Sequence, residues 1–138
     1  MPEESATPSL VELVGGALEA ANRRDLDAVM SVFAVDAVFE GRALGDVFEG
    51  RAAIRAFIEE WVGTYEELRY ELEEARDLGS GVVFAIVVQH GRLAGTAGRV
   101  GQREGWVIVW KRDLIARITF SEVDEGRAAA ERLAATSP

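Results

Sequence analysis

The 138-residue sequence contains no cysteine and a single histidine, His90. Without thiols the protein cannot form disulfides, a cysteine nucleophile or an iron–sulfur centre, and one imidazole cannot make the paired-histidine zinc motifs. A metal site would need carboxylate ligands, and the sequence has no Asp/Asn ladder with the spacing of a calcium loop. We therefore predict that the protein binds no metal and no cofactor.

The sequence also lacks an excess of positive charge and a long apolar run. Fifteen Lys and Arg residues against 24 Asp and Glu residues give a formal net charge of −9, which repels nucleic-acid phosphates and anionic membranes. The longest apolar run, residues 82–88, is far shorter than the roughly 20 residues of a membrane span, and the acidic N-terminus is unlike a signal peptide. We predict a cytoplasmic protein with no nucleic-acid or membrane partner.

Helical spacing of apolar residues occurs early in the chain and again at its end. Ser9 and Glu12 form a capping-box signature before an apolar stripe that ends at Asn22, and Asp25 begins a second stripe that reaches Phe33. Two further helices are predicted, at residues 54–61 and 125–135. The length is that of one domain, so we predict a single domain over residues 1–138 with a frayed tail at residues 1–7.

Strand patterns dominate the second half of the chain. A short early strand and four consecutive later strands are predicted, at residues 37–40, 66–73, 81–90, 106–110 and 115–121. Residues 41–50 are predicted as a loop, and residues 91–105, with five glycines, as a long mobile hairpin connection able to act as a lid. Helices segregated from sequential strands indicate an α+β domain with an antiparallel sheet.

The strand at residues 81–90 is the only one whose side chains are apolar on both faces. With a period of two, Phe84, Ile86, Val88 and His90 share one face. The other face carries the alternate residues Val83, Ala85, Val87 and Gln89. The only imidazole therefore lies in line with three large apolar side chains.

Three stretches together resemble the NTF2-like superfamily, and within it the SnoaL-like and ketosteroid-isomerase-like bacterial proteins. They are ALEAANRRDLDAVMSVFAVDAVFEG at residues 17–41, EGRAAIRAFIEEW at 49–61 and VIVWKRDLIARITF at 107–120. The resemblance implies a cone in which a curved sheet wraps over helices around an apolar cavity, often dimeric through the outer sheet face. It implies no single reaction, because this fold carries several chemistries.

The catalytic residues of ketosteroid isomerases do not carry over to this sequence. Gly41 stands where those enzymes hold a base aspartate, Ala17 where they hold an oxyanion-hole tyrosine, and Trp106 near their second acid. The Asp/Arg/Asp arrangement of limonene-epoxide hydrolase relatives is not recognisable either. The resemblance therefore does not predict proton transfer by either machinery.

If the strand registers follow the resemblance, one set of residues points into the cavity. That set is Phe39, Phe84, Ile86, Val88, His90, Trp106, Ile108, Trp110, Ile118, Phe120 and Glu122. We predict His90 as general base and acid, because imidazole titrates near neutral pH, and Glu122 as the carboxylate that orients it. The apolar and aromatic members would bind substrate. The alternative is that His90 is a hydrogen-bonded residue of the cavity rim and Glu122 an exposed acid.

Weaker candidates flank this set. Glu104 is a third possible catalytic acid, and Asp36 is predicted to cap a turn between helix and strand. Arg92, Arg99 and Arg103 either meet an anionic substrate at the cavity mouth or only solubilise the predicted connection.

Three classes of function fit these features. The first is a cofactor-free isomerase, cyclase or dehydratase acting on a small apolar molecule. The second is a ligand-binding module without chemistry, and the third an association module whose outer sheet face forms a homodimer. We predict a small-molecule pocket protein, and the sequence leaves its catalysis and its substrate open.

Overall fold

The structure, a computed structural model, describes residues 8–41, 46–95 and 98–136. The predicted tail at residues 1–7 lies outside these ranges. Within them the chain forms four helices: α1 (Leu10–Asn22), α2 (Leu26–Met30), α3 (Arg51–Thr64) and α4 (Val123–Thr136). It also forms six strands: β1 (Phe33–Glu40), β2 (Val47–Glu49), β3 (Tyr65–Gly79), β4 (Val82–Leu93), β5 (Arg99–Lys111) and β6 (Leu114–Ser121). No helix in the described ranges has the length and apolar character needed to cross a membrane.

The six strands form one sheet in the order β2-β1-β6-β5-β4-β3. β1 runs parallel to β6, and every other neighbouring pair is antiparallel. The sheet is curved and does not close on itself. The register of β3 against β4 shifts three times, once beside Glu67, whose φ is +59°. Such bulges bend a strand and increase its twist, which helps the sheet wrap around the helices. The predicted α+β class is confirmed.

The helix starts follow the predicted capping residues. The Ser9 side chain accepts a hydrogen bond from the Glu12 amide, and the Glu12 side chain accepts one from the Ser9 amide. The Asp25 carboxylate accepts from the amide of Ala28 and begins α2. The second helix is shorter than predicted, because Phe33 already pairs with β6. Asp36 lies exposed within β1, so its predicted role as a turn cap is wrong.

The predicted mobile connection at residues 91–105 is wrong for most of its length. β4 continues to Leu93 and β5 begins at Arg99, with His90 opposite Gly101 and Arg92 opposite Arg99. Glycines weaken a strand but do not prevent its backbone from pairing. Residues 96 and 97 lie outside the described ranges, as do 42–45 of the predicted loop at 41–50, which otherwise contains β2.

β4 is buried on both faces by different partners. Val83, Ala85 and Val87 belong to the main core between the sheet and helices α1 to α3. Val82, Phe84 and Ile86 form a second cluster with Ala130 of α4, on the outer sheet face. The approach of α4 depends on glycine, since a Cβ at Gly105 would lie 3.1 Å from the carbonyl oxygen of Glu122 and 3.1 Å from the Phe84 ring. The C-terminal helix therefore decides that the Phe84 face of β4 is the outer one.

Candidate functional site

A cavity of about 330 Å³ lies between the helices and the inner sheet face. Its wall is apolar and rich in aromatic rings, with contributions from α1, α2, α3 and every strand except β2. The aromatic lining residues are Phe33, Phe39, Phe57, Trp61, Tyr70, Trp106 and Phe120. The charged and amide side chains in the wall are Asp46, Gln89, Gln102 and Glu104. A concave apolar site with a few polar groups is the usual form of a small-molecule pocket.

Glu104 is the most deeply buried of these polar side chains, with 6% of its surface exposed. Its position on β5 opposite Val87 points it to the inner face of the sheet. Glu104 Oε1 accepts hydrogen bonds from Gln89 Nε2 at 3.1 Å and from the Trp106 indole N–H at 3.3 Å. Gln89 is itself oriented, because its Oε1 accepts from the Trp61 indole at 3.2 Å. The Glu104 carboxylate thus accepts from two side chains in an apolar wall, and a third side chain, Trp61, orients one of those donors.

Tyr70 contributes a phenol to the same wall. Burial raises the pKa of Tyr70 to about 12, with Glu104 nearby adding to the shift. The phenol therefore keeps its proton at neutral pH and can donate a hydrogen bond. Its backbone is held by Asn22 at the end of α1, whose side chain donates to the Tyr70 carbonyl at 2.9 Å and accepts from the Tyr70 amide at 2.7 Å. This pair of bonds fixes β3 against α1 beside the cavity.

Asp46 places a second carboxylate at the cavity wall beside Gly41. The Gly41 amide donates to the Asp46 carbonyl at 2.7 Å. A Cβ at Gly41 would lie 3.0 Å from Asp46 Cβ and 3.4 Å from Asp46 Oδ2. A side chain at position 41 would therefore crowd the side chain of Asp46.

The cavity contains five of the nine side chains predicted to bind substrate: Phe39, Trp106, Ile108, Ile118 and Phe120. Trp110 is buried in the main core and does not line the cavity. Phe84, Ile86 and Val88 do not face the cavity, because Phe84 and Ile86 pack under α4 and Val88 alternates with the inward Val87. Their predicted inward orientation is corrected by the structure.

The predicted pair of His90 and Glu122 is not brought together. His90 lies on the outer face and its Nε2 is 3.1 Å from Glu71 Oε1, with side chains that are 43% and 57% exposed. Glu122 is exposed at the start of α4, where its carbonyl accepts the amide of Gly126. Neither residue lines the cavity. The predicted inward position of both is therefore wrong, for the same reason as that of Phe84.

The polar residues that do line the cavity were largely missed from the sequence. Gln89 stood on the alternate set of β4, where both sets are apolar and the pattern does not mark the inward one. Tyr70 stood on the apolar set of the alternating strand β3, with Leu68 and Leu72, and this alternation was a signal that Tyr70 faces inward. Glu104 was a candidate of low rank because it lies among glycines. The strand register connects these residues. Gln89 of β4 lies opposite Gln102 of β5, and Glu104 is two residues from Gln102, so all three side chains share one face of the sheet.

The arginines of the glycine-rich segment lie on the outer side of the sheet in ion pairs with β3. Arg103 contacts Glu73 at 2.8 Å, Arg92 contacts Glu66 at 2.8 Å, and Arg99 contacts Glu67 at 3.1 Å. Pairing with Arg103 lowers the pKa of Glu73 below its ordinary value. These arginines are thus engaged away from the cavity.

A comparison with protein-family models identifies the family of this chain. The model of the SnoaL-like domain matches residues 14–131. The chain belongs to the SnoaL-like family. The match covers every residue that lines the cavity, from Val14 to Phe120. No curated protein matches the chain.

Solved structures similar to this SnoaL-like protein share its fold at low sequence identity. A protein of ketosteroid isomerase-like fold from Catenulispora acidiphila, in complex with trimethylamine, is 19% identical over 96% of this chain and 100% of its own, with a TM-score of 0.74. A Mycobacterium tuberculosis protein in complex with estradiol-17β-hemisuccinate is 18% identical over 80% of this chain and 91% of its own, with a TM-score of 0.70. A proposed polyketide cyclase from Sinorhizobium meliloti is 22% identical over 83% and 95%, with a TM-score of 0.66.

Proposed function

We propose that this SnoaL-like protein is a cofactor-independent acid–base enzyme that holds a small molecule in its cavity and uses Glu104 to move a proton. The observation that carries the proposal is the buried Glu104 carboxylate, fixed by Gln89 and Trp106 in an otherwise apolar wall. A buried carboxylate in an apolar site is a common general base or acid, because water is excluded there and does not compete for the proton.

The residues around Glu104 suit an isomerisation, cyclisation or elimination. In such a step Glu104 removes a proton from a carbon of the guest and can return it at another atom, so that no electrons are lost or gained overall. Negative charge develops on the guest as the proton leaves. The Tyr70 O–H, protonated because burial raises its pKa to about 12, is a donor able to stabilise that charge.

The similar structures support a small guest without naming it. One was crystallised with trimethylamine and another with estradiol-17β-hemisuccinate, and these two molecules share little chemistry. The fold therefore admits guests of different kinds, and the lining residues must decide which one this chain takes.

The base can be tested before the substrate is known, with 5-nitrobenzisoxazole as a neutral probe. Removal of its ring C–H proton breaks the N–O bond and releases a coloured nitrocyanophenolate. We expect the wild-type protein to accelerate this elimination and Glu104→Gln to lose about 10²-fold of the rate. Glu131→Gln, an exposed acid on α4, is the matched control and should keep the full rate.

Equal rates for wild type and Glu104→Gln, with both proteins folded by circular dichroism, would reject Glu104 as the base. If guests nevertheless bind in the cavity, the alternative of a non-catalytic ligand-binding module would be favoured. His90→Gln provides the opposite test, because a loss of rate in that variant would reinstate the imidazole as the proton-transfer group.

The predicted homodimer through the outer sheet face is a separate proposal, as is the cytoplasmic location. α4 already covers the apolar part of that face, so a dimer contact there would be made by the ion-paired residues of β3 to β5. Sedimentation velocity at micromolar concentration should give twice the 15.0 kDa mass of the chain. A monomer would contradict the proposal.

A further inference from the structure

We propose that Gln102 selects the guest of this cavity, and that the guest is a small neutral molecule with an amide edge, a carboxamide or a lactam, joined to an apolar body. The proposal rests on the proposed function in one respect, namely that the cavity is a small-molecule site, and it names a chemical class of guest. Two observations carry it: two facing glutamines are bonded differently, and the inner side of β5 changes from polar to apolar.

The sequence contains two glutamines, and both line the cavity. Gln89 of β4 lies opposite Gln102 of β5, so their side chains share the inner face of the sheet. The amide of Gln89 is engaged at both ends, because its Oε1 accepts from the Trp61 indole at 3.2 Å and its Nε2 donates to Glu104 at 3.1 Å. An indole N–H can only donate, which fixes this orientation of the Gln89 amide. Gln89 is therefore committed to the wall itself.

The amide of Gln102 is not committed in this way. Among the residues that the structure describes, Gln102 has no side-chain hydrogen bond or ion pair. It is half-buried and both of its amide atoms keep accessible surface, so a guest in the cavity can reach them. A polar group that is covered without a partner costs free energy, so a guest that covers Gln102 should supply an acceptor for its N–H and a donor for its carbonyl.

An amide edge supplies both groups in one plane. A lactam or carboxamide offers a carbonyl oxygen beside an N–H, and these match the NH2 and the carbonyl of Gln102 in two parallel hydrogen bonds. Glutamine binds the donor–acceptor edge of adenine in the same bidentate way. A ketone or an ether would satisfy the N–H and leave the Gln102 carbonyl without a donor.

The wall changes from polar to apolar along the inner side of β5. Gln102 and Glu104 are followed by Trp106 and Ile108, and all four line the cavity. Successive residues on one face of a strand lie about 6–7 Å apart. A guest with its amide edge at Gln102 would therefore extend past Glu104 along an apolar wall. The cavity volume of about 330 Å³ is at the lower end of the roughly 300–1,000 Å³ of ligand pockets, which suits a molecule of one or two rings.

The proposal can be tested with two guests of the same shape. Isoindolin-1-one has a carbonyl beside an N–H, and indan-1-one has a methylene in place of that N–H. Asn22, Gln89 and Gln102 are the three carboxamide side chains of the sequence, so single substitutions assign all side-chain NH2 signals in a nitrogen–proton correlation spectrum of the full chain. We expect isoindolin-1-one to shift the Gln102 signals most, and indan-1-one to shift them less.

Two variants measure what the Gln102 amide contributes to binding. Gln102→Met keeps the length of the side chain and removes the amide, and it should weaken isoindolin-1-one about tenfold and indan-1-one about threefold, since two hydrogen bonds are lost in one case and one in the other. Gln89→Met is the matched control, and it should change the ratio of the two affinities by less than about twofold. The indole signals of Trp61 and Trp106, which line the cavity, report binding in every variant.

The outcomes separate this proposal from the proposed function. Binding of isoindolin-1-one in the cavity without a shift of the Gln102 signals would overturn the proposal, and this measurement needs only the wild-type fold. An equal loss of lactam affinity in Gln89→Met and Gln102→Met would also overturn it, as would a failure of both guests to bind. None of these results changes the elimination assay with 5-nitrobenzisoxazole, which decides the role of Glu104 on its own. Equal elimination rates for wild type and Glu104→Gln would in turn leave a selective effect of Gln102→Met intact.

Discussion

The two faces of the sheet at strands β4 and β5 differ in how far their charged side chains are exposed. On the inner face Glu104 is almost fully buried and fixed by Gln89 and Trp106 beside a cavity. On the outer face His90 and Glu71 are about half exposed, and the apolar residues between them and the turn pack under α4. An exposed ion pair contributes little to stability and is screened by water, whereas a buried carboxylate interacts strongly with whatever enters beside it. The proposed proton transfer is therefore assigned to the inner face.

The largest effect that tests this comparison is expected at Phe84. Its side chain is 1% exposed in the cluster between the sheet and α4, so Phe84→Ala should lower the free energy of unfolding by about 3–5 kcal/mol. Phe120→Ala, on the wall of the existing cavity, should cost roughly half as much, since Phe120 already has empty space on one side. Urea denaturation measures both, and a larger loss for Phe120 would contradict the assignment of the faces.

The second effect concerns the proton on Tyr70. The unfolded chain loses this proton near the ordinary pKa of 10 and the folded chain near 12, so the unfolded state binds fewer protons between these values. Stability should therefore fall as pH rises from 10 to 12, by about 2–3 kcal/mol. Denaturation of Tyr65→Phe, which leaves Tyr70 as the only phenol, isolates the effect.

The same Tyr65→Phe protein gives a direct spectroscopic check. The sequence has two tyrosines, so the phenolate absorbance of this variant reports Tyr70 alone. A midpoint near pH 10 instead of about 12 would mean that Tyr70 is not buried in the cavity wall.

A third prediction tests how closely α4 approaches the sheet. Gly105→Ala should lower stability by about 1–3 kcal/mol, because the new methyl group would be forced against Phe84 and the backbone at Glu122 and Val123. Gly101→Ala, in the same strand, meets nothing within 4 Å and should change stability by less than about 0.5 kcal/mol. Thermal denaturation of the two variants compares a position of β5 that α4 covers with one that α4 does not cover. Equal effects would show that α4 does not press on β5.

The smallest effect is expected at His90. His90→Gln removes an exposed pair with Glu71 and should change the free energy of unfolding by less than about 1 kcal/mol. It should also leave the elimination rate of the Glu104 assay unaltered. Chemical denaturation and that assay, run on the same preparation, provide both measurements.

Much of the fold could be predicted because local sequence decides local structure. The capping box at Ser9 and Glu12, the start of α2 at Asp25 and the alternation along β3 all depend on neighbouring residues. The extension of β4 and β5 through the glycine-rich segment could not be predicted, because glycine weakens a strand locally. The backbone pairing between β4 and β5 keeps this segment extended in both strands.

By itself the sequence determined the class of fold, the family resemblance and the sorting of β4 into two sets of alternating side chains. Only the tertiary structure decided which set faces the cavity. Both sets are apolar, so the period of two cannot distinguish them. The last helix, α4, packs on the Phe84 set, and the other set therefore faces the main core. The same contact places His90 outside and leaves the inner face to Gln89 and Glu104, because adjacent side chains of a strand must point in opposite directions.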